Sequence, residues 1–374
     1  MSNEIRIFCE AAALEQLELL KTLAAIPAPS HSEDERAAFI ADWLRQAGLS
    51  PVIDGAKNVL VPLFEGEAKG ITVFMAHTDV VFPDRTPLPV RQEGELLFAP
   101  GVGDDTANAV ALMLAARSFA KRAPKEPVLI AFNSCEEGFG NLKGVREIMK
   151  TYAGRVKQLI SFDCDYRTLV NGAVGSERWK VEAHTRGGHS YSDFGRKNAI
   201  EVLAELIGKL YAQPVPDIPG THTTYNVGTI SGGTSINTIA QAAEMTYEYR
   251  SDDYGCLAAM REQFRALADE VDSPEGELTL TLMGERPCGA NVPEEEMAAL
   301  ISRCAAAVEQ VTGDVPGLAF ASTDANIPLS LGVPAVTFGL YLGDGAHTRE
   351  EYVEIPSLNV GLEIALTLMG EWFA

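Results

Sequence analysis

Basic residues are scarce in this chain. It holds 30 Lys and Arg against 52 Asp and Glu, a formal net charge of −22. A surface this acidic repels nucleic-acid phosphates and anionic lipid, so neither is an expected partner. No apolar run approaches the ~18–20 residues needed to span a bilayer. Glu4 and Glu10 interrupt the first twenty residues where a secretory signal would be continuously apolar, so a cytoplasmic location is the expectation. The six cysteines (9, 135, 164, 256, 288 and 304) form no C-x-x-C pair. That excludes a zinc-ribbon or thioredoxin-like signature and leaves free thiols. There is no internal repeat and no low-complexity segment. What remains is an ordinary globular composition, 46% apolar over 374 residues, long enough for two domains.

Apolar spacing predicts helices over 13–26, ended by Pro27, and over 34–48, ended by Gly48. Strand-like runs follow at 58–64 and 71–76. Next come a buried helix at 107–121, a strand at 128–133, a helix at 142–150 and a strand at 158–163. Strands alternating with helices indicate an α/β layer around a mixed, mostly parallel sheet. Near Ser176 the pattern changes. Residues 177–185 alternate as a one-sided antiparallel strand does. A helix (198–213), strands at 222–230 and 243–250, a helix (256–271) and a strand (277–283) complete a βαββαβ unit of the ferredoxin-like type. The α/β pattern then returns with a helix at 294–313, a strand at 334–340 and a closing helix at 355–373. The expected organisation is a catalytic domain in two parts, 1–176 and 287–374, with a small domain, 177–286, inserted between them.

The residues suited to chemistry cluster after the apolar runs. In FMAHTDVV, His77 and Asp79 stand at i, i+2, which points both to one face of a strand. A metal-ligating His usually gives its second ring nitrogen to an oxygen acceptor; a satisfied His at a sheet edge is the plainer alternative. PGVGDDTAN carries Asp104 and Asp105, whose repulsion is costly without a cation or hydrogen bonds. It lacks the third Gly of a dinucleotide fingerprint, Thr106 standing there, and it has the wrong charge for phosphate. A solvated turn with an N-capping Asp is the alternative. NSCEEGFG places Glu136 and Glu137 at the carboxyl end of a strand, where open α/β sheets build sites; a surface pair is the alternative. LISFDCD ends a strand with Asp163, and Asp165 follows two residues on as a competing candidate. His347 lies in a Gly-rich loop after the strand 334–340. Together these residues suit two metal ions. His77 and Asp163 would hold one, Glu137 and His347 the other, and Asp104 would bridge. Imidazole and carboxylate donors without Cys suit catalytic zinc.

The ordered motifs IPAPSHSEDE, MAHTDVV, FAPGVGDDTAN, NSCEEGFG, SFD, RGGHSYSDFGRKNAI, VGTISGGTSINTIAQAAEMTYEYRS, STDAN and GAHTREEYVEI span nearly the whole chain. They resemble the co-catalytic di-zinc hydrolases: aminoacylase, acetylornithine deacetylase, succinyl-diaminopimelate desuccinylase, glutamate carboxypeptidase and peptidase T. The resemblance implies a zinc-exopeptidase-like α/β fold whose inserted domain serves as lid and dimerisation domain. It implies His77, Asp104, Glu137, Asp163 and His347 as ligands of two Zn²⁺ per chain, with Co²⁺ or Mn²⁺ as alternatives. It implies a cis peptide at Asp104–Asp105, Asp79 orienting His77, and Glu136 as general base. His189 would stabilise the oxyanion across a homodimer interface, and Asn237 and Arg250 would bind the polar end of the substrate. Two departures stand out. Thr106 replaces a common Lys. Asp163 replaces Glu, a change that goes with aminopeptidases and di- or tripeptidases rather than deacylases.

The expected function is therefore di-zinc hydrolysis of an amide bond, most simply by an exopeptidase on short peptides. A deacylase of N-acyl amino acids or a carboxypeptidase is the first alternative, and a non-catalytic peptide- or metal-binding relative the second. His184 and His222 are expected to be structural, and His31 solvated. Asp324 in STDAN matches a motif near the cleft without a specified role.

Overall fold

A computed structural model of the chain describes residues 2–373. The backbone divides into two units, one running to Ala173 and resuming at Ala290, the other Val174–Gly289. The second begins three residues earlier and ends three later than the change of sequence pattern suggests.

The larger unit is built on an eight-stranded sheet. Its strands lie in the order Val52–Ile53, Val59–Leu63, Val128–Asn133, Ile71–His77, Val156–Ser161, Ala335–Thr337, Thr168–Ala173, Gly317–Ala321. The four strands from Val128–Asn133 to Ala335–Thr337 are mutually parallel. Both faces of this centre are covered, which is why its strands read as unbroken apolar runs. Phe74, Ala76, Ile130, Phe132 and Ile160 pack into one core with the helices Ser2–Ala25, Asn108–Phe119 and Ile355–Phe373. Their neighbours Val73, Met75, Leu129, Ala131 and Leu159 pack on the opposite face with Val145, Ile148 and Met149 of the helix Lys143–Thr151. The period of two along each strand makes this division.

Three features escape the sequence pattern. The first helix begins at Ser2, well before the apolar spacing becomes regular. Thr168–Ala173 and Gly317–Ala321 are strands without a clear alternation. They interlock where Gly172 leaves room for the Phe320 ring, whose atoms would lie 2.5 Å from a Cβ. The short strands Arg91–Glu93, Leu96–Phe98, Gly343–Asp344 and Tyr352–Glu354 form a separate four-stranded sheet. That sheet fastens the segment around His347 beside the chain leading to Asp104.

The smaller unit is a βαββαβ arrangement with a fully antiparallel sheet in the order Thr223–Gly232, Ala242–Ser251, Gly175–Thr185, Gly276–Arg286. Taken in chain order this is second, third, first, fourth, the ferredoxin-like pattern. Asn198 and Asp253 cap its helices by accepting the amides of Ile200 and Cys256. Trp179, Val181, Met245, Tyr247 and Tyr249 alternate inward against Leu203, Leu206 and Phe264.

Candidate metal centre

The parallel strands deliver their carboxyl ends to one place. His77 is the last residue of Ile71–His77. Glu136 and Glu137 follow Val128–Asn133 through a turn with Cys135 at φ 59°. Asp163 follows Val156–Ser161 by two residues. Because these three strands are neighbours, their ends converge, as open α/β sheets arrange for their sites. Asp104 comes from the loop that opens the helix Asn108–Phe119, and His347 from the loop after Ala335–Thr337.

His77, Asp104 and Asp163 offer ligand atoms within 4.8 Å of one another, and so do Asp104, Glu137 and His347. Asp104 belongs to both groups, and its two oxygens face different imidazoles. Oδ1 lies 2.9 Å from His77 Nε2 and Oδ2 lies 3.1 Å from His347 Nε2. His347 Nε2 is also 3.2 Å from Glu137 Oε1. Asp165 is not part of the cluster; it pairs with Arg167 at 2.7 Å. The peptide between Asp104 and Asp105 is cis. Asp105 turns away from its neighbour and accepts the amide of His77 at 2.7 Å and Asn108 Nδ2 at 2.6 Å. Thr106 donates its hydroxyl to the carbonyl of Gly101 at 2.5 Å, so here it ties the loop to itself.

Asp79 does more than face His77. Its carboxylate accepts the amides of Glu136 at 2.9 Å and Glu137 at 3.0 Å, and the Ser30 hydroxyl at 2.6 Å. His77 Nδ1 lies nearer the Asp79 carbonyl, 3.1 Å, than its carboxylate, 3.5 Å. Burial alone would raise the Asp79 pKa, but the hydrogen bonds from His77, Ser30 and the Glu136 amide hold it below the usual carboxylate range. Two further buried residues, outside the set expected from the sequence, hold the site in place. Glu351, 2% exposed, accepts three backbone amides of the loop that ends at Asp104. Its signal was its place four residues after His347. Arg36, 1% exposed, donates to the carbonyls of Ile26 and Thr78, and its positive charge acts on Asp79, Asp105 and Glu351. Asp324 is buried and accepts Asn133 Nδ2 at 2.6 Å.

The donor set fits a pair of divalent cations. Asp104, Glu136, Glu137 and Asp163 crowd together with too few cationic partners, a costly arrangement unless protons or cations neutralise it. Two imidazoles with carboxylates, and no thiolate among them, are the donors borderline metals such as zinc take. With protons alone, burial pushes Asp163 up to about 7, and the charge of Asp104 adds to the rise. Burial likewise pushes Glu137 up to about 8, with His347 opposing and Asp104 adding. Hydrogen bonds to Asp104 and Glu137 lift His347 to about 11.

The metal-free protein should lose stability as pH rises. Each of these raised groups keeps its proton in the native state after the unfolded chain has lost it. Unfolding free energy therefore falls as pH rises, from the ordinary carboxylate range through about 7 to 8 and, for His347, beyond. The melting temperature in chelator should be higher near pH 6 than near pH 8. Metal-loaded protein should not show that decline, because ions bind the deprotonated donors. A flat or rising chelated profile would mean that these carboxylates are not buried together.

The remaining site candidates belong to the smaller unit. His189 is exposed on the two-residue strand Gly188–His189, which pairs with Thr238–Ile239. Its Nδ1 accepts the amide of Tyr191 at 3.2 Å, which leaves the ring proton on Nε2, ready to donate. Asn237 lies beside it and accepts the Ser190 amide through its backbone carbonyl at 3.0 Å. Arg250 is not brought to them. It lies eight residues beyond Ala242 on Ala242–Ser251, about 26 Å at ~3.3 Å per residue. Its guanidinium bonds Glu248 at 3.1 Å. His184 is exposed on its strand, and His222, just ahead of Thr223–Gly232, donates its amide to Asp252. His31 is exposed, with Nδ1 3.3 Å from the Cys135 thiol.

A family model described as peptidase family M20/M25/M40 matches residues 73–371. The chain belongs to this family. It is 24% identical over 383 residues to a succinyl-diaminopimelate desuccinylase of Methylocella silvestris, covering 95% of this chain and 96% of that protein. Its fold matches aminopeptidase PepT from Bacillus cereus with a TM-score of 0.73 at 18% identity, over 96% of this chain and 98% of that one. It also matches an M20 family metallo-carboxypeptidase from Sulfolobus solfataricus with a TM-score of 0.74 at 14% identity, over 95% and 98% of the two chains. As a member of the M20/M25/M40 family the protein is an enzyme, a metallopeptidase or metal-dependent amidohydrolase. The family depends on metal, usually as a dinuclear centre. Among the described residues no helix is long and apolar enough to cross a membrane.

Proposed function

We propose that this M20/M25/M40 enzyme is an exopeptidase that hydrolyses short peptides at two zinc ions. The observation that carries the reading is Asp104, whose two oxygens face the imidazoles of His77 and His347, with Glu136 within ligand distance of His77 and Glu137. His77 and Asp163 would hold one ion, Glu137 and His347 the other, and Asp104 both. Bound zinc supplies Lewis acidity to the scissile carbonyl and acidifies a water. Glu136 takes the proton of that water and delivers it to the leaving amine. Asp79 fixes the backbone of Glu136 and Glu137 together, so base and ligand keep one spacing. His189 Nε2–H donates to the developing oxyanion, a contribution of ~3–4 kcal/mol for a donor of this kind. Asn237, beside His189, would take the polar end of the substrate; Arg250, carried away from both along its strand, could share it only from the other chain of a pair.

Asp163 supports peptides over acylated amino acids, since an Asp there accompanies aminopeptidases and di- or tripeptidases in the family resembled. Deacylation is the second reading, favoured by the desuccinylase relative. The deciding experiment is hydrolysis by zinc-loaded protein of free-amine di- and tripeptides against their N-acylated counterparts and N-acyl amino acids. Cleavage of only the acylated compounds would replace the exopeptidase reading with the deacylase one.

The smaller unit is proposed to pair two chains so that His189 serves the partner's site. Equal amounts of Glu136→Gln and His189→Ala protein, refolded together, should form about half mixed dimers. One site in each mixed dimer keeps both groups, so about a quarter of all sites should recover. Mixed dimers confirmed by mass spectrometry but without activity would place His189 in its own chain's site.

A further inference from the structure

We infer that Glu351 is the positioning residue that sets the direction of Asp104. The inference rests on the reading that Asp104 is shared by two metal ions. The backbone from Gly101 to Asp104 is irregular. Gly101 has φ 70°, and Asp104 has φ −97° and ψ 90°. The amides of Gly101, Gly103 and Asp104 would be orphaned inside the protein, which is costly for buried backbone. The Glu351 carboxylate takes all three. Oε2 accepts Gly101 N–H at 2.8 Å, and Oε1 accepts Gly103 N–H and Asp104 N–H, each at 2.8 Å. Both oxygens are engaged, so the clamp fixes the orientation of the loop as well as its distance.

The loop is also tightly packed. A Cβ on Gly101 would lie 2.3 Å from Val80 Cγ1, and one on Gly103 would lie 2.6 Å from the Tyr341 ring. The loop therefore has little room to shift at Gly101 or Gly103 without colliding. The segment that carries Glu351 also carries His347, so one short loop meets Asp104 twice: His347 at its side chain and Glu351 at its backbone. That segment is itself pinned, by Thr348 Oγ1 to the Gly345 carbonyl at 2.7 Å and Arg349 to Asp84 at 2.7 Å. A bridging carboxylate must present two oxygens to two ions at once. A small rotation of its backbone spoils one contact, while a terminal ligand could follow its ion. The three-amide clamp is placed where that rotation would occur.

The test is a Co²⁺ titration of metal-free protein, read by visible absorption, alongside thermal unfolding of the same metal-free samples. Glu351→Gln keeps the shape but turns two donor hydrogens into the donor-rich loop. Glu351→Asp keeps the charge and withdraws it by one methylene. Wild type should take two Co²⁺ per chain. Both variants should fold metal-free and bind one Co²⁺ at least ~10–100-fold more weakly, the usual cost of losing a residue that orients a ligand. Their visible spectra should also change, a signature that a merely structural loss would not give. A folded variant with wild-type spectrum and affinity for both ions would overturn the inference. So would loss of the metal-free fold in both variants, which would make Glu351 a residue of the fold alone. Failure of wild type itself to take two ions would instead remove the two-metal reading.

Discussion

Glu136→Gln protein should keep its fold and its metal and lose turnover by at least ~10²–10⁴-fold, the range for removing a general base. Glu136 is 5% exposed, and its amide is held by Asp79 Oδ1 at 2.9 Å, so the Gln side chain would occupy the same place without a basic oxygen pair. The comparison is sharp because Glu137, next in the chain, is held by the same carboxylate through Asp79 Oδ2. Glu136 also lies within ligand distance of His77 and Glu137. Metal analysis and kcat measured on one preparation separate the roles. If Glu136→Gln lost metal in proportion to activity, while Glu137→Gln kept metal and lost turnover, the two residues would exchange roles.

Asp104→Ala should have an effect as large by a different route. It removes a carboxylate placed between both imidazoles, leaving His77 with Asp163, and His347 with Glu137. Each ion would then rely on fewer donors, and hydrolysis should fall to background together with the metal content. Chelation of wild type should do the same, reversibly on adding zinc, because the donors must be deprotonated to bind and regain protons when the ion leaves. Elemental analysis after zinc reconstitution should give two ions per chain for wild type and fewer than one for Asp104→Ala. Two retained ions in the variant, or undiminished hydrolysis in chelator, would remove the shared-carboxylate centre.

Much of this architecture is legible in the sequence. ITVFMA, VLIAFN and the run before Asp163 are apolar on both faces, and such segments have to be buried strands of a covered sheet. The polar residue that follows each run is then placed at a sheet end by chain continuity alone. The βαββαβ unit is legible from the opposite signal, since Trp179 to Thr185 alternates with period two, as a one-sided strand does. The strands Thr168–Ala173 and Gly317–Ala321 were not legible. Their pairing depends on Phe320 filling the space at Gly172, a contact between residues far apart in the chain. The short strands beside Leu96–Phe98 escaped because three residues are too few to show a period.

The site divides along the same line. The sequence by itself determined which polar residues stand together at the sheet's end, because His77, Glu136, Glu137 and Asp163 each inherit their position from the strand immediately before them. Between Asp163 and Asp165 only the fold decided, by giving Asp165 to Arg167. Only the fold decided how the donors are aimed. Asp79 reaches residues 57 and 58 positions away, and Glu351 grips a loop about 250 positions earlier. Strand periodicity is a local property that a few neighbouring residues express. A carboxylate's choice of amide is settled by where two distant segments meet, and nothing near either residue in the sequence records that meeting.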